Sequence, residues 1–74
     1  MFGQRLRNAR RQKQLTQQQM ADVLGLSLNG YQKYEQEERF PSPDTLVKIG
    51  DILDVSIDHL LGRDAFLAAH AGER

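Results

Sequence analysis

The sequence predicts an all-α fold, a compact domain of five short helices with the pattern for one more in its tail. Three observations lead there. Every clear apolar periodicity has the helical spacing, and no stretch alternates at period two over strand length. The helical patterns are punctuated by Ser or Thr caps and by glycine or proline stops. At 74 residues and 39% hydrophobic content, the chain suffices for one modest core and no second.

The first helix is expected from about Gly3 to Lys13, with Phe2, Leu6 and Ala9 along one face and arginines on the other. Thr16 is a good N-cap for the second, and Gln19 completes a capping box. Met20, Ala21 and Leu24 form its buried stripe, and Gly25 supplies a left-handed stop. Ser27 caps the third helix, about Leu28 to Gln36. The polar connection RFPSPD (Arg39 to Asp44) ends it.

Ser42-Pro43 opens the fourth helix, with proline at the first helical position. That helix buries Leu46, Ile49 and Leu53. Gly50 in its interior costs on the order of 1 kcal/mol relative to alanine, so close backbone packing is expected there. Ser56 opens a short fifth helix holding Ile57, Leu60 and Leu61, ended by Gly62. The tail, RDAFLAAHAGER, has the pattern for a further helix from Asp64 to a stop at Gly72. The expected organisation is one domain over residues 1–62, with residues 63–74 as a tail.

The chain has no cysteine, which removes disulfides and thiolate metal sites. Its N-terminus lacks an apolar leader core and no run approaches spanning length, so the expectation is a soluble, cytoplasmic protein with no membrane partner. An enzyme is not expected. His59 and His70 are isolated, with no nucleophile constellation, no glycine-rich phosphate loop and no metal-ligand spacing. No cofactor is implied.

Net charge is zero, but the charge is divided. Met1 to Tyr34 carries six basic residues (Arg5, Arg7, Arg10, Arg11, Lys13, Lys33) against Asp22 alone. Glu35 to Arg74 carries four basic residues against nine acidic ones. Such a split suits one anion-facing surface and one solvated or partner-facing surface, and equally suits surface charge with no partner.

The third helix divides its side chains sharply. At about 100° per residue from Leu28, Gln32 falls near 40°, Gln36 near 80°, Asn29 near 100° and Lys33 near 140°. On the same wheel Gly30 lies near roughly 200°, Tyr34 near 240° and Tyr31 near 300°. The tyrosines choose the inside, and Gly30 leaves room for another helix to approach. The outer strip carries amides, an ammonium and a leucine. Asn or Gln can pair with adenine, Lys can donate to guanine, and an aliphatic group can meet the thymine methyl. Any surface helix has a polar face. The capped helix before this one, the tight Gly25–Ser27 corner and the N-terminal arginines weigh towards base reading.

The stretches LTQQQMADVLGLSLNGYQKYE and PSPDTLVKIGDILDVSIDHLLG resemble the phage-repressor (Cro/C1-type, XRE) helix-turn-helix family, over about Phe2 to Gly62. The resemblance implies a five-helix, lambda-repressor-like domain with its helix-turn-helix at about residues 16–36. It implies that the second helix crosses the DNA backbone and the third enters the major groove. By position it implies base contacts from Leu28, Asn29, Gln32 and Lys33. Phosphate contacts are implied for Gln17, Ser27, Gln36 and Arg39. Arg10 and Glu35 match a buried ion pair that ties the first helix to the third.

The chain also departs from the family. The loop after the third helix, QEERF, carries Glu37 and Glu38 where a glycine and a basic residue are usual. Leu28 stands at a commonly polar position and Gly30 at a common Ser or Thr. The function implied is a sequence-specific, double-stranded-DNA-binding transcriptional regulator, a repressor acting as a homodimer on a two-fold operator. The alternative is a protein-interaction module, an antitoxin or anti-repressor target, using the acidic later helices and Phe66 and Leu67 of the tail.

Overall fold

In the computed structural model, residues 2–62 are described. They form five α-helices in the order α1 (Phe2–Gln12), α2 (Gln17–Leu24), α3 (Leu28–Glu35), α4 (Pro43–Leu53) and α5 (Ile57–Leu60). Among the described residues there is no strand, and no helix is long and apolar enough to cross a membrane. The tail helix expected from Asp64, with Phe66 and Leu67, lies outside the described residues.

Local chemistry sets where each helix begins. Gln19 N donates to Thr16 Oγ1 at 3.0 Å while Thr16 N donates to Gln19 Oε1 at 2.8 Å, closing the capping box of α2. Ser27, Ser42 and Ser56 cap α3, α4 and α5 by accepting from Gly30 N, Thr45 N and His59 N. None of these five helices is longer than 11 residues. Helices this short are marginal alone, so tertiary packing must hold them.

That packing is a single cluster. Leu6, Met20, Tyr31, Ile49, Leu53 and Leu60 are its largest fully buried side chains. Each helix contributes at least one of them. The α1 helix packs on α3 and α5, α2 packs on α3 and α4, and α4 packs on α5. Leu24, expected in the stripe of α2, is only half-buried against this core. Leu61, expected within α5, lies just past its end and is exposed.

Two glycines permit close approach, but not as the wheel suggests. A Cβ on Gly50 would stand 3.0 Å from Val55 O, so the backbone meeting α4 there is the chain's own turn into α5. At Gly30 only Ser27 Oγ comes near, at 3.1 Å, and no other helix approaches. The helix that does need a glycine is α1. A Cβ on Gly3 would lie 2.2 Å from Glu35 O at the end of α3.

The helix ends hold a further departure from the sequence reading. Gly25 ends α2 in the left-handed region, with φ of 70°. Gln14, Glu37 and Asp54 adopt the same conformation after α1, α3 and α4, with φ of 60°, 60° and 55°. At each of these ends the next amide reaches back five residues: Leu15 N to Arg10 O, Glu38 N to Lys33 O, and Val55 N to Gly50 O. The hydrogen bonds of a glycine stop are therefore made without the glycine. A side chain there costs about 1–2 kcal/mol. Glu37→Gly is accordingly expected to stabilise the domain by about 0.5–1 kcal/mol, the added freedom of the unfolded glycine offsetting part of the relief. A thermal melt checks this, and a lower Tm would count against a strained Glu37.

Candidate nucleic-acid interface

The site is built on the corner between α2 and α3. Leu26 N donates to Ala21 O at 2.8 Å behind the left-handed Gly25, which turns the chain without a gap in its hydrogen bonds. Ser27 then starts α3 at once. Tyr31 and Tyr34 are buried from the inner face of α3, with ring centroids 6.4 Å apart in an edge-to-face arrangement. The rotation of α3 is therefore locked by two large side chains.

Glu35 completes the lock. Its carboxylate is buried, and charge at that depth requires partners. Arg10 Nε donates to Oε2 at 2.6 Å and Arg10 Nη2 to Oε1 at 3.3 Å. Tyr31 Oη donates to Oε2 at 2.5 Å, Gln17 Nε2 to Oε1 at 3.1 Å, and Arg7 Nε approaches Oε1 at 3.4 Å. One carboxylate thus gathers donors from α1, α2 and α3. Arg10 has a further tie, from Nη1 to Leu15 O at 2.8 Å, which secures the turn before α2.

The electrostatics follow from these contacts. Burial would raise the Glu35 pKa, but hydrogen bonds from Arg10, Tyr31 and Gln17 outweigh it and hold the carboxyl below its usual range. The hydrogen bond from Glu35 raises the Arg10 pKa against the opposing effect of burial. Burial, then the bond to Glu35, pushes the Tyr31 hydroxyl well above its ordinary value. All three stay in the protonation states that favour one another at neutral pH.

On the other side of α3, Asn29 is exposed, and Leu28, Gln32 and Lys33 are half-buried. Gln36, the C-cap of α3, and Arg39, in the following loop, are exposed. Ser27 is exposed at the corner with its hydroxyl engaged by Gly30 N. Gln17, the first residue of α2, is half-buried against α3, where Gln32 Nε2 donates to Gln17 Oε1 at 3.0 Å. The two amides therefore meet across the corner. The loop after α3 folds back on that helix, Glu38 N and Arg39 N both donating to Lys33 O. Arg39 lines a concavity together with Glu37, Glu38, Phe2 and Phe40, so two acidic residues share its surroundings.

Three parts of this arrangement escape a reading by position. Arg7 is a second cation at Glu35, Tyr31 donates to it, and Gln32 pairs with Gln17. The Tyr31 contact had a signal. Tyr31 and Glu35 are four residues apart on one face, and a buried phenol needs a polar partner. Among the described residues, no group of His, Cys, Asp and Glu is arranged to hold a metal ion.

The helix-turn-helix family HTH_3 matches residues 6–60. The chain is 51% identical over 61 residues to the HTH-type transcriptional regulator YqaE of Bacillus subtilis, covering 82% of this chain and 53% of that protein. It is 52% identical over 60 residues to the cryptic phage CTXphi transcriptional repressor RstR of Vibrio cholerae, covering 81% of this chain and 54% of the repressor. The HTH-type transcriptional regulator ImmR of Bacillus subtilis is 40% identical over 63 residues, 85% of this chain and 50% of that protein. The chain therefore spans about half the length of the curated relatives it matches. No solved structure gives a significant match. With the family matched across α1 to α5 and the α2–α3 corner formed, this chain belongs to the phage-repressor type (HTH_3, XRE) of helix-turn-helix DNA-binding domains.

Proposed function

We propose that this domain is the DNA-reading part of a cytoplasmic transcriptional repressor that binds double-stranded DNA as a homodimer. The observation that carries the reading is the division of α3. Its inner face is locked by Tyr31, Tyr34 and Glu35, while Asn29 and Lys33 lie on the opposite side and Leu28 and Gln32, half-buried, lie at the edge between them. A helix held at fixed rotation is what base-edge recognition in the major groove requires. Asn29, Gln32 and Lys33 serve as hydrogen-bonding readers, and Leu28 meets a thymine methyl.

Gln17, Ser27, Gln36 and Arg39 contact phosphate and set the register on the duplex. Gln17 at the first position of α2 adds a helix N-terminus to that contact. Glu37 and Glu38 oppose it, so Glu37→Gly should also tighten DNA binding by removing one carboxylate from the phosphate-facing loop. One recognition helix reads only a few base pairs. Two copies related by a two-fold axis would place their helices about 34 Å apart, one turn of DNA. Val47 of α4 and Leu61 after α5, 49% and 44% exposed, offer apolar area to such a partner copy. The identities to a named phage repressor and to named transcriptional regulators support the regulatory role.

Selection of bound duplexes from a random pool tests the proposal. The expected product is a two-fold symmetric site with half-sites one helical turn apart, bound with a steep loss of affinity as salt rises. Lys33→Ala should relax preference at one position and cost about 1–3 kcal/mol there. Equal affinity for selected and random duplexes would reject sequence-specific binding. An asymmetric selected site would reject the homodimer.

A further inference from the structure

The hydrogen bond between Gln17 and Gln32 has a direction, and that direction comes from Glu35. An ionised carboxylate only accepts hydrogen bonds. Gln17, 3.1 Å from Glu35 Oε1, must therefore turn its amino group towards it. This leaves Gln17 Oε1, an acceptor, facing Gln32. Gln32 must in turn meet that oxygen with its own amino group, at 3.0 Å. Reversing the Gln32 amide would set two carbonyl oxygens against each other with no proton between them. The charge of Glu35, held by Arg10 and Tyr31, thus dictates the order of oxygen and nitrogen in two successive side chains.

We propose that this relay makes Gln32 an adenine reader, with Gln17 as the positioning residue that sets its polarity. The proposal rests on the reading of α3 as the major-groove helix. One Nε2 hydrogen of Gln32 is committed to Gln17. In the proposed pose the hydrogen trans to Oε1 goes to Gln17, so the other hydrogen and Oε1 remain as one donor beside one acceptor on the same edge of the amide. Adenine offers the complement in the major groove, N7 as acceptor and the N6 amino group as donor. Guanine offers two acceptors, N7 and O6, and a fixed Oε1 would face one of them. A glutamine free to turn could bring its amino group to guanine instead. Here that turn would break the bond to Gln17, so the buried ion pair acts on base choice through two amides.

The test compares affinities for the selected duplex and for the same duplex with single base-pair changes. Parent, Gln32→Ala and Gln17→Leu proteins are used. Leucine roughly keeps the bulk at position 17 while leaving Glu35 to Arg10 and Tyr31, and circular dichroism checks that the variant is folded. Gln32→Ala should relax one base pair, at which the parent prefers A·T over G·C by at least about tenfold, the scale of a bidentate contact. In Gln17→Leu both affinities should fall, while that ratio shrinks to within about threefold. A structural or phosphate-only role for Gln17 would lower both affinities and leave the ratio intact, which would overturn the relay. A base other than adenine at the position relaxed by Gln32→Ala would overturn adenine reading, and this comparison requires nothing of the position-17 variant. Sequence-specific binding with no position relaxed by Gln32→Ala would reject the proposal while leaving DNA recognition by the domain in place. No preferred duplex at all would reject both.

Discussion

Glu35→Ala is expected to cost the domain about 3–5 kcal/mol, the scale for removing one partner from a buried ion pair. The loss exceeds that of an ordinary hydrogen bond because of what remains behind. The Arg10 guanidinium would stay buried with its carboxylate gone, and the Tyr31 hydroxyl and Gln17 amide would lose their acceptor as well. Domains of this size have roughly 0.05–0.15 kcal/mol of stability per residue, so the loss would remove a large fraction of the total. A denaturant titration measures this, and a loss under about 1 kcal/mol would show that the pair is not the keystone described. The double replacement Arg10→Met with Glu35→Leu should be more stable than either single variant, since apolar pairs often replace buried ion pairs at little cost. It should nevertheless lose base discrimination at Gln32, separating stability from positioning.

The same carboxylate sets the pH response. Its folded pKa lies below the unfolded value, so its contribution is present above the unfolded pKa and is lost as pH falls through the folded one. Tyr31 has the opposite sign. Its raised pKa supplies stability that is complete below the ordinary tyrosine range and is lost as pH rises through the folded value. Stability should therefore be flat around neutrality and fall on the acid side. The acid-side slope should shrink in the Arg10→Met, Glu35→Leu protein.

Gly3→Ala is the second large expected effect, at about 1–3 kcal/mol of destabilisation. Alanine is the better helix former by about 1 kcal/mol, so propensity alone predicts the reverse sign. Space decides the matter. The new Cβ would lie 2.2 Å from Glu35 O and 2.9 Å from Glu35 C, both backbone atoms that no rotamer change can move. The third neighbour, Glu37 Cγ at 2.8 Å, is part of a side chain that can swing away. Accommodation would need α1 to lift from the end of α3, disturbing the approach that brings Arg7 and Arg10 to Glu35. Gly3→Ala with unchanged or higher Tm would refute the close approach.

Much of the fold is legible in residue type and spacing because it depends on local chemistry. Thr16, Ser27, Ser42 and Ser56 each act within four residues, so the starts of α2 to α5 follow from the chain alone. The inward tyrosines follow from helical periodicity, and the HTH_3 match agrees with the motif reading. The stops are less legible. Gln14, Glu37 and Asp54 take the left-handed conformation that glycine would signal, because the hydrogen bonds of each helix end and its packing outweigh the local strain.

The site divides in the same way. By itself the sequence determined an all-α domain, the α2–α3 corner and a polar strip on α3, since each depends on residues within one or two turns of helix. The Arg10–Glu35 pair was implied by the family resemblance, but only the tertiary structure decided that Arg7, Gln17 and Tyr31 join it at one carboxylate, and that Gln32 is tied to Gln17. Those contacts join residues up to 28 positions apart in the chain. The contacts of Arg7 and Arg10 depend on how closely α1 approaches α3, a distance that Gly3 permits and that no local pattern encodes.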